Sequence, residues 1–134
     1  MAMKIVIGTK SGKSLQKELE DTKPLFGKKI GDSLKGEFLD LPGYEFTITG
    51  GSDAIGFPMR KDVNSTNRVK ILAVEGVGLR KQRSGKRVRK TVAGGIVGPQ
   101  TAQLNLKITK EGKTPLFEEP AATATDDEAS KAEA

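Results

Sequence analysis

Residues 44–49 read Tyr-Glu-Phe-Thr-Ile-Thr, and their side chains alternate between two chemical types. Tyr44, Phe46 and Ile48 fall on one face of an extended chain, whereas the glutamate and the threonines between them fall on the other. Such strict alternation is typical of a β-strand that has one buried and one solvated face. The segment therefore predicts a half-buried strand, and the segments around it are interpreted relative to this strand.

A glycine-rich loop follows this strand at residues 50–60, with the sequence GGSDAIGFPMR. Its first two glycines can adopt positive φ at a turn, and the proline after Phe57 forces that residue to be extended. We expect Phe57 and Met59 to lie in the core beneath the loop. Arg60 and Lys61 are expected to project outward.

Further segments rich in β-branched and apolar residues are separated by glycine, proline or polar turns. They are residues 4–7, 15–19, 68–74, 92–97 and 103–109. In the last of them, Leu104, Leu106 and Ile108 share one face, whereas residues 15–19 alternate imperfectly and are expected near an edge. Short strands with little helix predict a mainly β fold: a small six-stranded, partly closed β-barrel.

Residues 24–39 carry apolar side chains at intervals of four, at Phe26, Ile30, Leu34 and Phe38. This spacing is helical. Three glycines interrupt the segment, and each weakens a helix by about 1 kcal/mol relative to alanine. We expect one or two short helical turns that cover an end of the barrel, and a segment that is entirely loop is the alternative.

Residues 8–14, GTKSGKS, resemble a phosphate-binding loop because Gly12, Lys13 and Ser14 follow a strand and a glycine. That motif requires four residues between its glycines. Here only three residues separate Gly8 from Gly12. A hairpin turn between two strands is therefore the favoured interpretation.

The chain contains neither cysteine nor histidine. Disulfides and thiolate metal sites are thereby excluded, and the commonest general base and transition-metal ligand are missing. No pair of acidic residues has a spacing that suggests catalysis, and no apolar run approaches the length of a membrane span. We expect a soluble, intracellular, non-enzymatic protein with no cofactor, metal or small-molecule substrate.

The segment 79–90, LRKQRSGKRVRK, is the most basic part of the chain and is named the arm below. Seven of its twelve residues are cationic and none is acidic: Arg80, Lys81, Arg83, Lys86, Arg87, Arg89 and Lys90. These charges cannot be buried unpaired, so they are either solvated or meet a polyanion. Since the arginine fork matches phosphate oxygens, phosphate binding is favoured over a solvated loop. Nucleic acid is the first candidate partner and an anionic membrane surface the second.

The net charge of +6 is divided unequally along the chain. Residues 1–117 hold 22 Lys and Arg against 11 Asp and Glu, a net of +11, whereas residues 118–134 hold one Lys against six acids, a net of −5. The last segment consists largely of Ala, Thr, Asp and Glu without periodicity. We predict a basic β-barrel domain over residues 1–117, with nucleic acid as its first candidate partner, and a disordered acidic tail over residues 118–134.

Three stretches together carry a resemblance: YEFTITGGSDAIGFPMRKDV at 44–63, RVKILAVEGVGLRKQRSGKRVRKTVAGGIV at 68–97 and LNLKITKEG at 104–112. In this order they resemble the ribosomal protein S6e family of archaeal and eukaryotic small subunits, with likeness from about residue 3 to 112. The resemblance implies a β-barrel that binds small-subunit ribosomal RNA in the cytoplasm, beside neighbouring ribosomal proteins, and has no catalysis of its own. The eukaryotic members have a long basic C-terminal helix, whereas this chain ends in an acidic tail and looks archaeal.

The resemblance makes residues 50–59 a hallmark loop, in which Asp53 could cap the turn through its own backbone. It adds Arg60, Lys61, Arg68 and Lys70 to the arm cations as the set that faces RNA. A structural ribosomal protein is the favoured function. A ribosome-associated RNA chaperone or translation factor with a similar barrel is the alternative, and an enzyme is the least favoured.

Overall fold

The computed structural model describes residues 2–117, which form seven β-strands and two short 3₁₀ helices. The strands are β1 (Met3–Gly8), β2 (Ser14–Leu19), β3 (Ser33–Lys35), β4 (Glu45–Asp53), β5 (Val69–Ala73), β6 (Val88–Val92) and β7 (Thr101–Lys110). The 3₁₀ helices are Lys23–Leu25 and Gly36–Leu39. The prediction of a mainly β protein is confirmed.

Five strands form one sheet in the order β2-β1-β7-β4-β3. β1 and β7 are parallel, and the other neighbours are antiparallel. The predicted alternation of β4 is confirmed, because Tyr44, Phe46 and Ile48 are buried while Glu45 and Thr49 are exposed. The apolar faces of β1, β4 and β7 together make the core.

The core is anchored at the start of β4 by aromatic packing and a polar contact. The rings of Tyr44 and Phe46 are stacked, with centroids 6.0 Å apart. The Tyr44 hydroxyl donates a hydrogen bond to the carbonyl oxygen of Thr114. This bond ties the segment after β7 to the sheet, and Leu116 packs against the core beside it.

The predicted barrel is not confirmed. Within residues 2–117 the five-stranded sheet is open, with β2 and β3 at its edges. β5 and β6 form a separate antiparallel sheet of two strands, named the ribbon below. Sequence reasoning predicted six strands because β3 is only three residues long and has no room for a visible alternation. The edge position predicted for residues 15–19 is confirmed by β2.

The continuous helical periodicity of residues 24–39 did not produce a helix. The two 3₁₀ turns lie at the ends of this segment and β3 lies between them. Gly27 and Gly31 adopt φ of 83° and 98°, which is a left-handed conformation that breaks a right-handed helix. The prediction of one or two short helical turns is nevertheless confirmed.

The predicted strand over residues 92–97 is wrong, since β6 ends at Val92 and only isolated bridges follow. The backbone of residues 93–98 is instead buried between two loops: Gly95 N donates to Val63 O at 2.8 Å, and Val97 N donates to Lys28 O at 2.8 Å. A Cβ on Gly94 would lie 1.7 Å from the Ser65 carbonyl oxygen. Gly94 and Gly95 therefore allow two backbone segments to pack closely together, and they do not form part of a β-sheet.

Residues 8–14 form the predicted hairpin turn. β1 and β2 pair antiparallel with Gly8 opposite Ser14, and Thr9 N donates to Lys13 O at 2.9 Å. The chain continues from Ser14 as a strand, so the phosphate-loop alternative is wrong.

The predicted disordered tail at 118–134 lies outside the described residues. Among residues 2–117, no helix is both long enough and apolar enough to cross a bilayer.

Candidate nucleic-acid interface

The arm connects the two strands of the ribbon. β5 ends at Ala73 and β6 begins at Val88, which are partners in the register, so the chain between them forms the end of a long hairpin. Arg89 and Lys90, at the end of the arm, are already part of β6. The sequence therefore placed the arm between two strands correctly but put the start of the second strand four residues too late.

All seven arm cations are exposed. Among residues 2–117, none of them forms a salt bridge or a side-chain hydrogen bond. Each of these side chains therefore lies at the surface of the described part of the chain. A row of solvated cations without internal partners is a surface that can accept phosphate oxygens with no prior rearrangement of the protein.

The ribbon presents cations on both of its faces. Lys90 lies opposite Ile71 and Arg89 lies opposite Leu72. Because successive residues of a strand point to opposite faces, Arg89 and Lys90 face opposite directions. Lys70 shares the face of Arg89, as its diagonal neighbour across the two strands. A polyanion can therefore wrap around the ribbon rather than only lie along one side.

The structure corrects the expectation that Arg60 projects outward. Its side chain is only 12% exposed, and Nη2 forms a salt bridge with Asp62 at 2.8 Å. Nη1 donates hydrogen bonds to the carbonyl oxygens of Glu75 at 3.3 Å and Val77 at 3.1 Å. Gly76 has φ of 113°, and a Cβ there would lie 3.1 Å from Nη1. Arg60 thus fixes the turn from which the arm departs.

Arg68 is likewise held by the protein. Its Nε donates to the carboxylate of Asp53, whose side chain is 2% exposed, and its guanidinium lies 6.0 Å from the centre of the Phe57 ring. A buried carboxylate requires such a partner. The Asp53–Arg68 pair joins the end of β4 to the start of the ribbon.

The predicted capping role of Asp53 is confirmed, since its Oδ1 accepts a hydrogen bond from Ala54 N. Met59 is buried as predicted, with 3% exposure, but Phe57 is only half-buried. Sequence reasoning missed the pairing of Asp53 with Arg68. The only available signal was an acidic residue inside an otherwise apolar and glycine-rich loop.

Lys61 and Lys70 are exposed, as are the arm cations. The eleven predicted site residues therefore divide into nine solvated cations and two arginines with protein partners. In the part of the chain from 2 to 117, no group of three or more acidic side chains is placed to hold a metal ion. The site offers charge and hydrogen-bond donors.

Comparison with known proteins identifies the family of the chain. Residues 3–119 match the family described as "Ribosomal protein S6e". The "Small ribosomal subunit protein eS6" of Methanococcus maripaludis is 42% identical over 124 residues, covering 92% of this chain and 99% of the relative. The proteins of the same name from Thermoplasma acidophilum and Archaeoglobus fulgidus are 44% and 43% identical, with 87% and 88% of this chain covered and 94% and 95% of theirs. The chain belongs to the ribosomal protein S6e family.

Proposed function

We propose that this protein is a structural constituent of the small ribosomal subunit, working in the cytoplasm and binding ribosomal RNA through phosphate contacts. Relatives that carry the name of a small-subunit protein match nearly the whole chain at about the same identity. The observation that carries the RNA-binding part of the proposal is the set of seven exposed arm cations without partners among residues 2–117.

Structured RNA presents phosphates and 2′-hydroxyls, and proteins recognise these by shape more than by reading bases. The ribbon suits this mode because its cations lie on both faces and at its tip. The described arm contains no aromatic side chain on which a base could stack. The partner is therefore a folded region of ribosomal RNA rather than a single strand.

The proposed contact set consists of the nine solvated cations, which are Lys61, Lys70, Arg80, Lys81, Arg83, Lys86, Arg87, Arg89 and Lys90. Arg60 and Arg68 are left out of this set, because each already donates to protein oxygens through part of its guanidinium group. The role of these two arginines is to tie the ribbon to the loop that follows β4. The protein acts by binding and positioning, not by catalysis.

We further propose that residues 1–117 form the RNA-binding unit and that neighbouring ribosomal proteins contact the faces that the ribbon leaves free. This division follows from the concentration of positive charge in the first 117 residues.

The test is a titration of the full chain with small-subunit ribosomal RNA over a range of salt concentrations. If the arm cations meet phosphates, log K falls with log salt with a slope of about −5 to −6. A footprint on the RNA by hydroxyl-radical cleavage then identifies the bound helices. A slope near zero, or a footprint identical to that of an unrelated basic protein, contradicts the proposal.

A further inference from the structure

The end of the hairpin between β5 and β6 encloses a groove of about 680 Å³, named the arm groove below. Clefts of this size hold a small organic ligand. The lining includes two apolar side chains and three of the arm cations: Val74, Leu79, Arg80, Lys81 and Arg83. The arm groove therefore combines apolar surface with groups that bind phosphate.

Two backbone turns give the arm groove its shape. The first is closed by a hydrogen bond from Leu79 N to Gly76 O at 3.2 Å, and the second by one from Lys86 N to Arg83 O at 3.2 Å. The first turn is also the one that Arg60 fixes through two carbonyl oxygens. Because both turns are formed within the protein itself, the arm groove exists before a ligand binds.

Gln82 brings an unused hydrogen-bond acceptor to the arm groove. This residue is part of the lining, and its Oε1 is buried without a hydrogen-bond partner among residues 2–117. A buried acceptor that lacks a donor is unfavourable, so a ligand that donates a hydrogen bond there is bound preferentially. Glu75 also lines the arm groove. Its carboxylate accepts hydrogen bonds but cannot donate them, which reinforces the demand for donors on the ligand.

We propose that the arm groove binds one unpaired nucleotide of the RNA. The base packs against Val74 and Leu79 and donates a hydrogen bond from an exocyclic amino group to Gln82 Oε1. The phosphates on either side of it meet the three cations of the lining. The inference rests on the proposed function, because it treats the arm as the RNA site, and it adds selection of a base to that site.

The chemistry of the lining decides which bases are selected. Unpaired bases in the loops and bulges of folded RNA are the parts that proteins read in a sequence-specific way. Adenine, cytosine and guanine carry an exocyclic amino group, whereas uracil does not. Residues 74–85 contain no aromatic side chain, so the preference comes from hydrogen bonding and not from stacking on a ring. The expected ligand is therefore an unpaired nucleotide other than uridine.

The first test uses RNA stems that differ at one position. The full chain is titrated with stems that carry a single bulged A, C, G or U and with the same stem without a bulge. The stems with bulged A, C and G are expected to bind about 2–10-fold more tightly than the stem with bulged U, which is the range of one hydrogen bond. Equal affinity for the four bulged stems, or tightest binding of the uracil stem, overturns the proposal.

The second test removes the acceptor. In Gln82→Leu the preference among the bulged stems should disappear, while the slope of log K against log salt stays the same because no charge is lost. Gln82→Glu keeps an acceptor oxygen and should keep the preference, although its negative charge weakens binding to every stem. Gln16→Leu, at an exposed position of β2, is the matched control and should behave as the wild-type chain does. A full preference in Gln82→Leu, or its loss in Gln82→Glu, shows that Gln82 does not select the base.

A third measurement distinguishes a nucleotide held in RNA from a free one. AMP is titrated against the complex with the bulged-adenine stem. It is expected to bind about tenfold more weakly than the stem or weaker still, because it offers one phosphate where the stem offers several to the arm. If AMP binds as tightly as the stem, the arm groove takes free nucleotides and the assignment to RNA is wrong.

These tests also separate the inference from the proposed function. If the chain does not bind small-subunit ribosomal RNA, the proposed function fails, and the bulged stems still decide whether the arm groove selects a base. If ribosomal RNA binds with the expected salt dependence but the stems show no base preference, the proposed function stands and the inference fails.

Discussion

The five-stranded sheet and the ribbon are built from the same backbone pairing but have opposite surroundings. In the sheet, Phe46 and Leu104 are completely buried, and their apolar faces supply the free energy of folding. In the ribbon, Leu72 is 58% exposed and its cross-strand partner Arg89 is also exposed. A ribbon of two strands has little stability of its own. The sheet therefore supplies the stability of the fold, and the ribbon with its arm presents the exposed positive charge.

The two regions meet at two arginines and at the end of β6, where Val92 is completely buried and Ala93 bridges Met59. Arg68 connects the ribbon to Asp53 at the end of β4, and Arg60 holds the turn that follows β5. Because the exposed arm cations take no part in these contacts, changes in the arm should reach the sheet weakly, and changes in the sheet should leave the arm's chemistry intact. The predictions below test how complete this separation is.

The largest effect is expected on RNA binding, when four arm arginines are removed together. Replacing Arg80, Arg83, Arg87 and Arg89 with glutamine should weaken binding to ribosomal RNA by about 4–6 kcal/mol, at about 1–1.5 kcal/mol per lost charged contact. The midpoint of urea unfolding should stay unchanged or rise, since no core contact is lost and repulsion falls. RNA titration and urea unfolding of the same preparation measure both quantities.

The matched control removes the same charge elsewhere. Exposed lysines on other elements are replaced with glutamine: Lys10, Lys23, Lys35 and Lys107. This variant has the same net charge as the four-arginine variant, so general attraction to RNA is equal in both. If the two variants lose equal affinity, the arm has no special role and only net charge matters.

A substitution in the core of the sheet is expected to lower stability and to leave RNA affinity nearly unchanged. Phe46→Ala removes a completely buried ring between Tyr44 and the β7 side chains, and it should lower the free energy of unfolding by about 3–5 kcal/mol. Affinity for RNA, measured where the variant is still folded, should change by less than twofold. A loss of RNA affinity as large as that of the four-arginine variant would show that sheet and arm are not separable.

Sequence patterns predicted the strands of the sheet better than they predicted whether the sheet closes into a barrel. The alternation of β4 and β7 identified the buried side chains correctly, because each strand has one face toward one core. Closure into a barrel depends on pairing between strands far apart in the chain, which alternation does not encode. The conformations of β3 and of the 3₁₀ turns also depend on neighbouring elements. Each is only three or four residues long, which is too short to show a helical or strand period in the sequence.

The charged site was predictable as a set but not residue by residue. The density of cations in 79–90 identified the arm, and the structure leaves all seven exposed. Arg60 and Arg68 have the same residue type as the arm arginines, and nothing in the sequence shows that carbonyl oxygens and a buried carboxylate lie beside them. Only the folded loops bring those acceptors close. Charge along a chain thus predicts where cations concentrate, and geometry decides which of them are free for a ligand.

A smaller effect is expected at the junction. Arg60→Lys keeps the charge but loses the fork, in which Nη1 bonds two carbonyl oxygens while Nη2 pairs with Asp62, and it should lower the free energy of unfolding by about 1–2 kcal/mol. The amide of Leu79, which donates to Gly76 O at 3.2 Å, should exchange its hydrogen faster, because the turn that Arg60 holds is loosened. Lys61→Gln, at the adjacent exposed residue, should leave that exchange unchanged. Unaltered exchange at Leu79 in Arg60→Lys would mean that Arg60 does not anchor the arm.

The smallest effect on stability is expected when residues 118–134 are removed. Residues 118–134 contain no apolar side chain larger than proline, so they can bury little surface to offset the entropy of ordering. Truncation after Phe117 should change the free energy of unfolding by less than about 0.5 kcal/mol, the range of weak exposed ion pairs.

Truncation five residues earlier, after Gly112, supplies the contrast. It removes Leu116 from the core surface and leaves the buried Tyr44 hydroxyl without its Thr114 acceptor. Because an unsatisfied buried donor costs about 1–3 kcal/mol, this variant should be clearly less stable than the one that ends at Phe117. Thermal unfolding of the two truncated chains beside the full chain locates the end of the folded unit. Equal stability of both truncated chains would show that the segment after β7 does not belong to the core, whereas a loss on removing 118–134 alone would show that the tail packs on the body.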